Sequence, residues 1–144
     1  MWDLALDKDS LKEVYCLKLE AATPSNNIIK EMHFLKYKML RRNWQKMVLQ
    51  EILKKPSSPI EKSFIYIERH CAGEGLDWDN AYGGLKPLLD CLVCPSKVNP
   101  DGLGLIRDDN PGNMPYPPFV SQHKSKRGKS FTILKIFEIT PKGD

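Results

Sequence analysis

Asp77-Trp78-Asp79 sets two carboxylates one residue apart, and Asp108-Asp109 supplies a second pair further along the chain. Carboxylate oxygens are ligands of hard divalent cations. Magnesium keeps several of its waters, so three or four acids suffice to hold it. In extended chain the side chains of Asp77 and Asp79 would point to opposite faces, whereas a strand-to-helix turn lets them converge. Each pair follows a short apolar run, so two strand ends could present Asp77, Asp79, Asp108 and Asp109 to one ion or two. A divalent ion there would activate a water and stabilise the oxygens of an in-line phosphoryl displacement. Lys86 is placed to neutralise the phosphate or orient the attacking water. The plainer reading is that aspartates open helices and fill turns without any metal.

Charge is segregated along the chain. The net charge is +4, but residues 74–109 hold seven acids against three bases and carry −4, which leaves +8 on the remainder. A basic body around an acidic patch suits a polyanion met through a bridging cation. Residues 30–55 hold eight bases against two acids, Arg41 and Arg42 among them, and these two arginines are expected to be solvated. The stretch HKSKRGK adds Lys124, Lys126, Arg127 and Lys129 with no acid. Both stretches read as sugar–phosphate contacts, with a simple solubility role as the alternative.

Four cysteines are present, Cys16, Cys71, Cys91 and Cys94. Cys91-Leu-Val-Cys94 has the spacing of half a zinc site, and His70-Cys71 is the one candidate for the other half. That is not a paired arrangement, and LKPLLDCLVC is an apolar run, so Cys91 and Cys94 read first as small core residues.

The elements that must carry these residues follow from periodicity. Residues 11–21 alternate as a strand with Tyr15, Leu17 and Leu19 on one face. Residues 23–27 (TPSNN) form a turn. A long helix is predicted from Phe34 to Lys55, ended by Pro56, with Tyr37, Leu40, Trp44, Met47, Val48 and Ile52 as its buried stripe. SFIYIERH reads as a buried strand, which sets Asp77 and Asp79 beyond its carboxyl end. A second helix is predicted over residues 80–93 with Asp79 as N-cap, kinked or restarted near Gly84 and Pro87. Residues 119–122 and 131–140 are strands, joined as a hairpin through the basic loop.

With the elements in place, the order of motifs resembles the RusA family of Holliday-junction resolvases. The residues that carry the likeness are Asp77-Trp78-Asp79-Asn80, Lys86, Asp90-Cys91-Leu92 and Ile106-Arg107-Asp108-Asp109, preceded by Pro24-Ser25-Asn26-Asn27. The resemblance implies a magnesium-dependent endonuclease (manganese as substitute) that works as a homodimer on four-way DNA junctions in a bacterial or phage-infected cytoplasm. It implies metal and catalytic roles for Asp77, Asp79 and Asp109, with Asp108 as neighbour, a functional Lys86, and a helper or structural Asp90. The chain departs from the pattern in one place. Five residues, AYGGL, separate Asn80 from Lys86 where the family has two. On a continuous helix the three extra residues would carry the lysine ~4.5 Å further along.

At 144 residues the chain fits one domain, residues 1–144. The expected class is α/β or α+β, a mixed sheet of four to five strands packed with two main helices. No apolar run approaches the ~20 residues of a membrane helix, and no secretory signal opens the chain, so a cytoplasmic protein without a small-molecule cofactor is expected. Three alternatives stand beside the resolvase: a general nuclease for branched or flapped DNA, a non-catalytic DNA binder of the same fold, and a small zinc-stabilised module.

Overall fold

Alternation of apolar residues builds the sheet. In β1 (Asp9–Leu19), Leu17 and Leu19 are buried and Tyr15 packs on the same side. In β2 (Ser63–Cys71), Ile65 and Ile67 are enclosed, and in β4 (Phe131–Pro141) so are Leu134 and Ile136. β3 (Phe119–Lys124) is shorter and more polar. The computed structural model describes residues 9–141 and orders the sheet β1-β4-β2-β3. β4 runs antiparallel to both β1 and β2, while β3 lies parallel to β2. The class is α+β with a mixed four-stranded sheet, as expected from the sequence.

One expected connection is absent. β3 and β4 are consecutive but do not pair, because β2 lies between them. FTILKIFEIT is apolar enough to be buried from both edges, whereas FVSQHK suits an edge strand. Residues 125–130 therefore cross over the carboxyl end of β2 instead of closing a hairpin, and Ser125 N–H donates to Cys71 O at 3.1 Å.

The helices cover one face of the sheet. Ser25 caps α1 (Asn26–Lys30) by accepting from Asn27 N–H at 3.0 Å, so the expected turn runs straight into a short helix. α2 (Phe34–Ile52) buries Trp44 and Val48, with Leu40, Met47 and Ile52 packed at the margin of the core. It closes one turn before Lys55. Leu53 adopts φ 72°, and its N–H donates to Leu49 O at 2.8 Å. Arg41 corrects the sequence reading. It is buried, not solvated, because Asp101 draws it inward.

The predicted second helix is two helices, α3 (Trp78–Gly83) and α4 (Lys86–Leu92). The break falls at Gly84-Leu85, where a β-carbon on Gly84 would lie 1.6 Å from Pro24 O. The Pro24–Asn27 segment is thus docked against the break, and Pro87 sits in the first turn of α4, where it costs no hydrogen bond. The N-cap of α3 is Asp77, not Asp79.

Residues 103–107 then close the far end of α4. Backbone N–H groups of Leu103, Gly104, Leu105 and Ile106 donate to the carbonyls of Cys91, Val93, Leu92 and Leu92 at 2.8, 3.0, 2.9 and 3.0 Å. Carbonyls left open at a helix end must find partners, and here an extended apolar segment supplies them. Ile60 and Ile106 form an isolated parallel bridge alongside. The same hydrogen bonds that close α4 fix the chain just before Asp108-Asp109.

Candidate metal and nucleic-acid site

Two routes bring acids to the helical side of the sheet. The first leaves β2 at Cys71 and reaches α3 through residues 72–77. Gln122 of β3 holds this segment by both ends of its amide: Oε1 accepts from Leu76 N–H at 2.8 Å and Nε2 donates to Leu76 O at 2.7 Å. Asp77 follows at once, and its Oδ1 accepts from Asn80 N–H at 3.0 Å. Asp79 lies in the first turn of α3, where the helix dipole favours a negative charge. Both carboxylates are exposed.

The second route ends at Asp108 and Asp109. Arg107 is fastened just before them by the Glu61 carboxylate, with Nη2 to Oε1 at 2.6 Å. Asp108 Oδ1 accepts from Asp109 N–H at 2.8 Å, and Oδ2 accepts from Asn110 Nδ2 at 3.1 Å. The Asp109 carboxyl is pushed above its ordinary range by partial burial, then by its hydrogen bond to Asp108 and that neighbour's charge, with a further contribution from Asp90.

Asp90 is the pivot between helices. Tyr37 OH on α2 donates to its Oδ2 at 2.5 Å, and Lys86 Nζ lies 3.4 Å from the same oxygen, one turn away on α4. The Tyr37 hydroxyl is held protonated, first by burial and then by this bond to Asp90. Lys86 and Asp90 thus share a face, as helical spacing predicts, while Asp79 belongs to a separate helix.

The acids are not fully gathered. Among the described residues, no three of Asp77, Asp79, Asp90, Asp108 and Asp109 place ligand atoms within 4.8 Å of one another. Asp108 and Asp109 are joined by the bond from Asp109 N–H to Asp108 Oδ1, and Asp77 and Asp79 open α3. By donor chemistry Asp77, Asp79, Asp108 and Asp109 suit magnesium or manganese: each offers oxygen alone, and each is exposed enough for the ion to keep waters.

The three-ligand grouping found among the described residues is Glu68, His70 and His123, on the strands. Sequence reading missed it, although Glu68 and His70 share a strand face by simple alternation. It also missed Gln122, whose partner lies 46 residues away and leaves no local signal. Cys94 and Cys71 are partly buried and Cys16 is exposed. Cys91 is buried, donating from Sγ to Arg41 O and Pro87 O at 3.0 Å each, and among the described residues no three-ligand group includes a cysteine.

The basic residues divide. Lys124, Lys126, Arg127 and Lys129 are exposed around the crossover at the carboxyl end of β2. Arg42 is exposed, with Nε 3.6 Å from Asp101 Oδ1. Arg41 is enclosed and already neutralised, so it is withdrawn from the DNA-facing set. Comparison with known proteins adds no further constraint: no family model matches the chain, and no curated protein matches it.

Proposed function

We propose that this protein is a magnesium-dependent endonuclease that nicks branched DNA, four-way junctions above all. The observation that carries the reading is the anchoring of Lys86 and Tyr37 on one carboxylate oxygen of Asp90, at 3.4 and 2.5 Å, one helix beyond the exposed Asp77 and Asp79. Asp77 and Asp79 open the preceding helix, α3, and the hydrogen bonds that close α4 fix the chain just before Asp108-Asp109.

Asp77, Asp79 and Asp109, with Asp108 beside them, would hold magnesium, and manganese shares the same oxygen preference. When bound, the ion supplies an activated water and charge stabilisation for phosphodiester hydrolysis. Lys86 meets a phosphate oxygen, and Asp90 keeps the lysine placed. Lys124, Lys126, Arg127, Lys129 and Arg42 fasten the sugar–phosphate backbone, which selects shape more than sequence. A junction is pseudo-symmetric, so two copies of the chain related by a two-fold axis would nick two strands of like polarity. Among the described residues no helix is long and apolar enough to cross a membrane.

A synthetic four-way junction, incubated with magnesium and then with EDTA, tests the proposal against matched duplex and flap substrates. Paired nicks in the junction that stop with EDTA are expected. Equal cutting of flaps would favour the general branched-DNA nuclease. Asp79→Asn is expected to abolish cutting while junction binding persists, and a variant that cuts like the parent would remove Asp79 from the metal site.

A further inference from the structure

The face of the sheet opposite the core carries a second constellation of ligand-bearing side chains. Ile65, Ile67 and Arg69 of β2 point into the protein, so Glu68 and His70 point the other way. His70 is the register partner of His123 on β3, which sets the two imidazoles side by side, with ring centroids 4.6 Å apart and planes 14° from parallel. Glu68 Oε1 lies 3.0 Å from His70 Nε2. One ligand atom from each of Glu68, His70 and His123 falls within 4.8 Å of the others.

Neighbouring side chains support this resting arrangement. Phe131 of β4 stacks on the other face of His70 at 4.2 Å. Ser121 Oγ lies 2.8 Å from His123 Nε2 and 3.2 Å from Tyr66 OH. His70 and Glu68 are half-buried and His123 is exposed, so a fourth position would face solvent.

We propose that Glu68, His70 and His123 form a transition-metal site of the zinc class, bridging β2 and β3 on the sheet face away from the core. Two imidazoles and one carboxylate are the donor set of zinc sites that keep a fourth position for water, and imidazole disfavours magnesium. Tetrahedral zinc at ~2.0–2.2 Å from each ligand needs donor atoms ~3.3–3.5 Å apart, a modest adjustment of groups already gathered within 4.8 Å. Zinc would replace the Glu68–His70 hydrogen bond. The Nε2 lone pair is freed when the ring proton resides on Nδ1, and because imidazole lone pairs lie in the ring plane, the stacked rings of His70 and His123 must also turn about their side-chain bonds to face one ion. β3 pairs with β2 along one edge and is the shorter partner, so the metal would act as a staple for that edge strand.

The site is independent of the acids at α3 and α4. The test uses the full chain, stripped of metal and then titrated with zinc or cobalt. One zinc per chain is expected, retained through desalting and unaffected by excess magnesium, with a rise in melting temperature. His123→Gln, at an exposed position, is expected to fold as the parent and to lose at least ten-fold in zinc affinity. Glu68→Gln is expected to behave alike. The cobalt-loaded chain should show visible ligand-field bands without a thiolate charge-transfer band. Unchanged zinc affinity in His123→Gln, a thiolate band, or no zinc retained would each overturn the assignment.

Discussion

Arg41 and Asp101 form a buried ion pair between α2 and the turn that follows α4. Nη2 lies 2.9 Å from Oδ2, and the side chains are 7% and 11% exposed. The hydrogen bond runs through Nε, at 3.0 Å, while Nη2 meets the carboxylate as a charge without hydrogen-bond geometry. Gln45 Nε2 adds a bond to Asp101 O at 3.1 Å. Removing Asp101 leaves the buried Arg41 charge without its partner, at about 3–5 kcal/mol, whereas removing Arg41 leaves Asp101 with Arg42 Nε 3.6 Å away. Asp101→Asn is expected to lower stability on that scale in urea titrations, Arg41→Met by less, and Arg41→Met with Asp101→Leu to recover much of the loss. Junction affinity of folded Arg41→Met should equal that of the parent. Weaker binding at unchanged stability would return Arg41 to the DNA surface.

That pair also shows where sequence reading stops. Periodicity placed β1, β2, β4 and α2 because apolar spacing is a local signal. An arginine beside the apolar stripe reads as solvated, and only Asp101, sixty residues away, pulls it in. The supposed hairpin failed for a related reason. Closeness in sequence suggested pairing of β3 with β4, but the greater apolar content of β4 placed it inside the sheet. At α3, Asp77 and Asp79 are equally good capping residues, and the bond to Asn80 N–H decides for Asp77. The motif order locates the candidate acids, while their distances depend on Gly84 meeting Pro24 and on residues 103–106 closing α4.

The crossover loop should govern how strongly DNA binding depends on salt. Lys124, Lys126, Arg127 and Lys129 are exposed and face no acid within their own segment. Every phosphate that ceases to be neutralised flattens the slope of log affinity against log salt by about 0.9 on duplex arms. Replacing all four by Gln is expected to weaken junction and duplex binding alike and to flatten the slope by up to that amount per residue. An unchanged slope in fluorescence anisotropy titrations would show that the loop does not touch phosphate.

The thiols should differ in reactivity and in their effect on stability. Backbone hydrogen bonding at Gly73, the largest cause, holds the Cys71 thiol below its ordinary range despite partial burial. Burial, followed by the charge of Asp90, pushes Cys91 up to about 12. Iodoacetamide is expected to label Cys71 in the native chain at a lower pH than in the unfolded chain, and to spare Cys91. For Cys91 the fold favours the neutral thiol. Its contribution to stability is therefore whole below the ordinary value of 9.0 and is lost as pH rises toward about 12. Denaturant titrations should show that alkaline loss, and Cys91→Ala should lessen it. Early alkylation of Cys91 would contradict its placement in the core.

Gln122 ties the candidate acids to the sheet, and its effect should fall on turnover more than on binding. Its amide bonds both the N–H and the carbonyl of Leu76, the residue before Asp77. Gln122→Ala removes two hydrogen bonds, each worth about 0.5–1.5 kcal/mol, which an α+β domain of this size should survive folded. The loosened segment would then sample positions in which Asp77 and Asp79 are misplaced, and small misplacements are costly to chemistry. A fall in kcat of ten-fold or more is expected, with KM for the junction near that of the parent. Gln122→Glu keeps an acceptor for Leu76 N–H but sets a carboxylate against Leu76 O, so its kcat should fall between the two. If kcat stays at the parent value while the melting temperature drops, Gln122 only fastens β3, and the acids take their position from α3 alone.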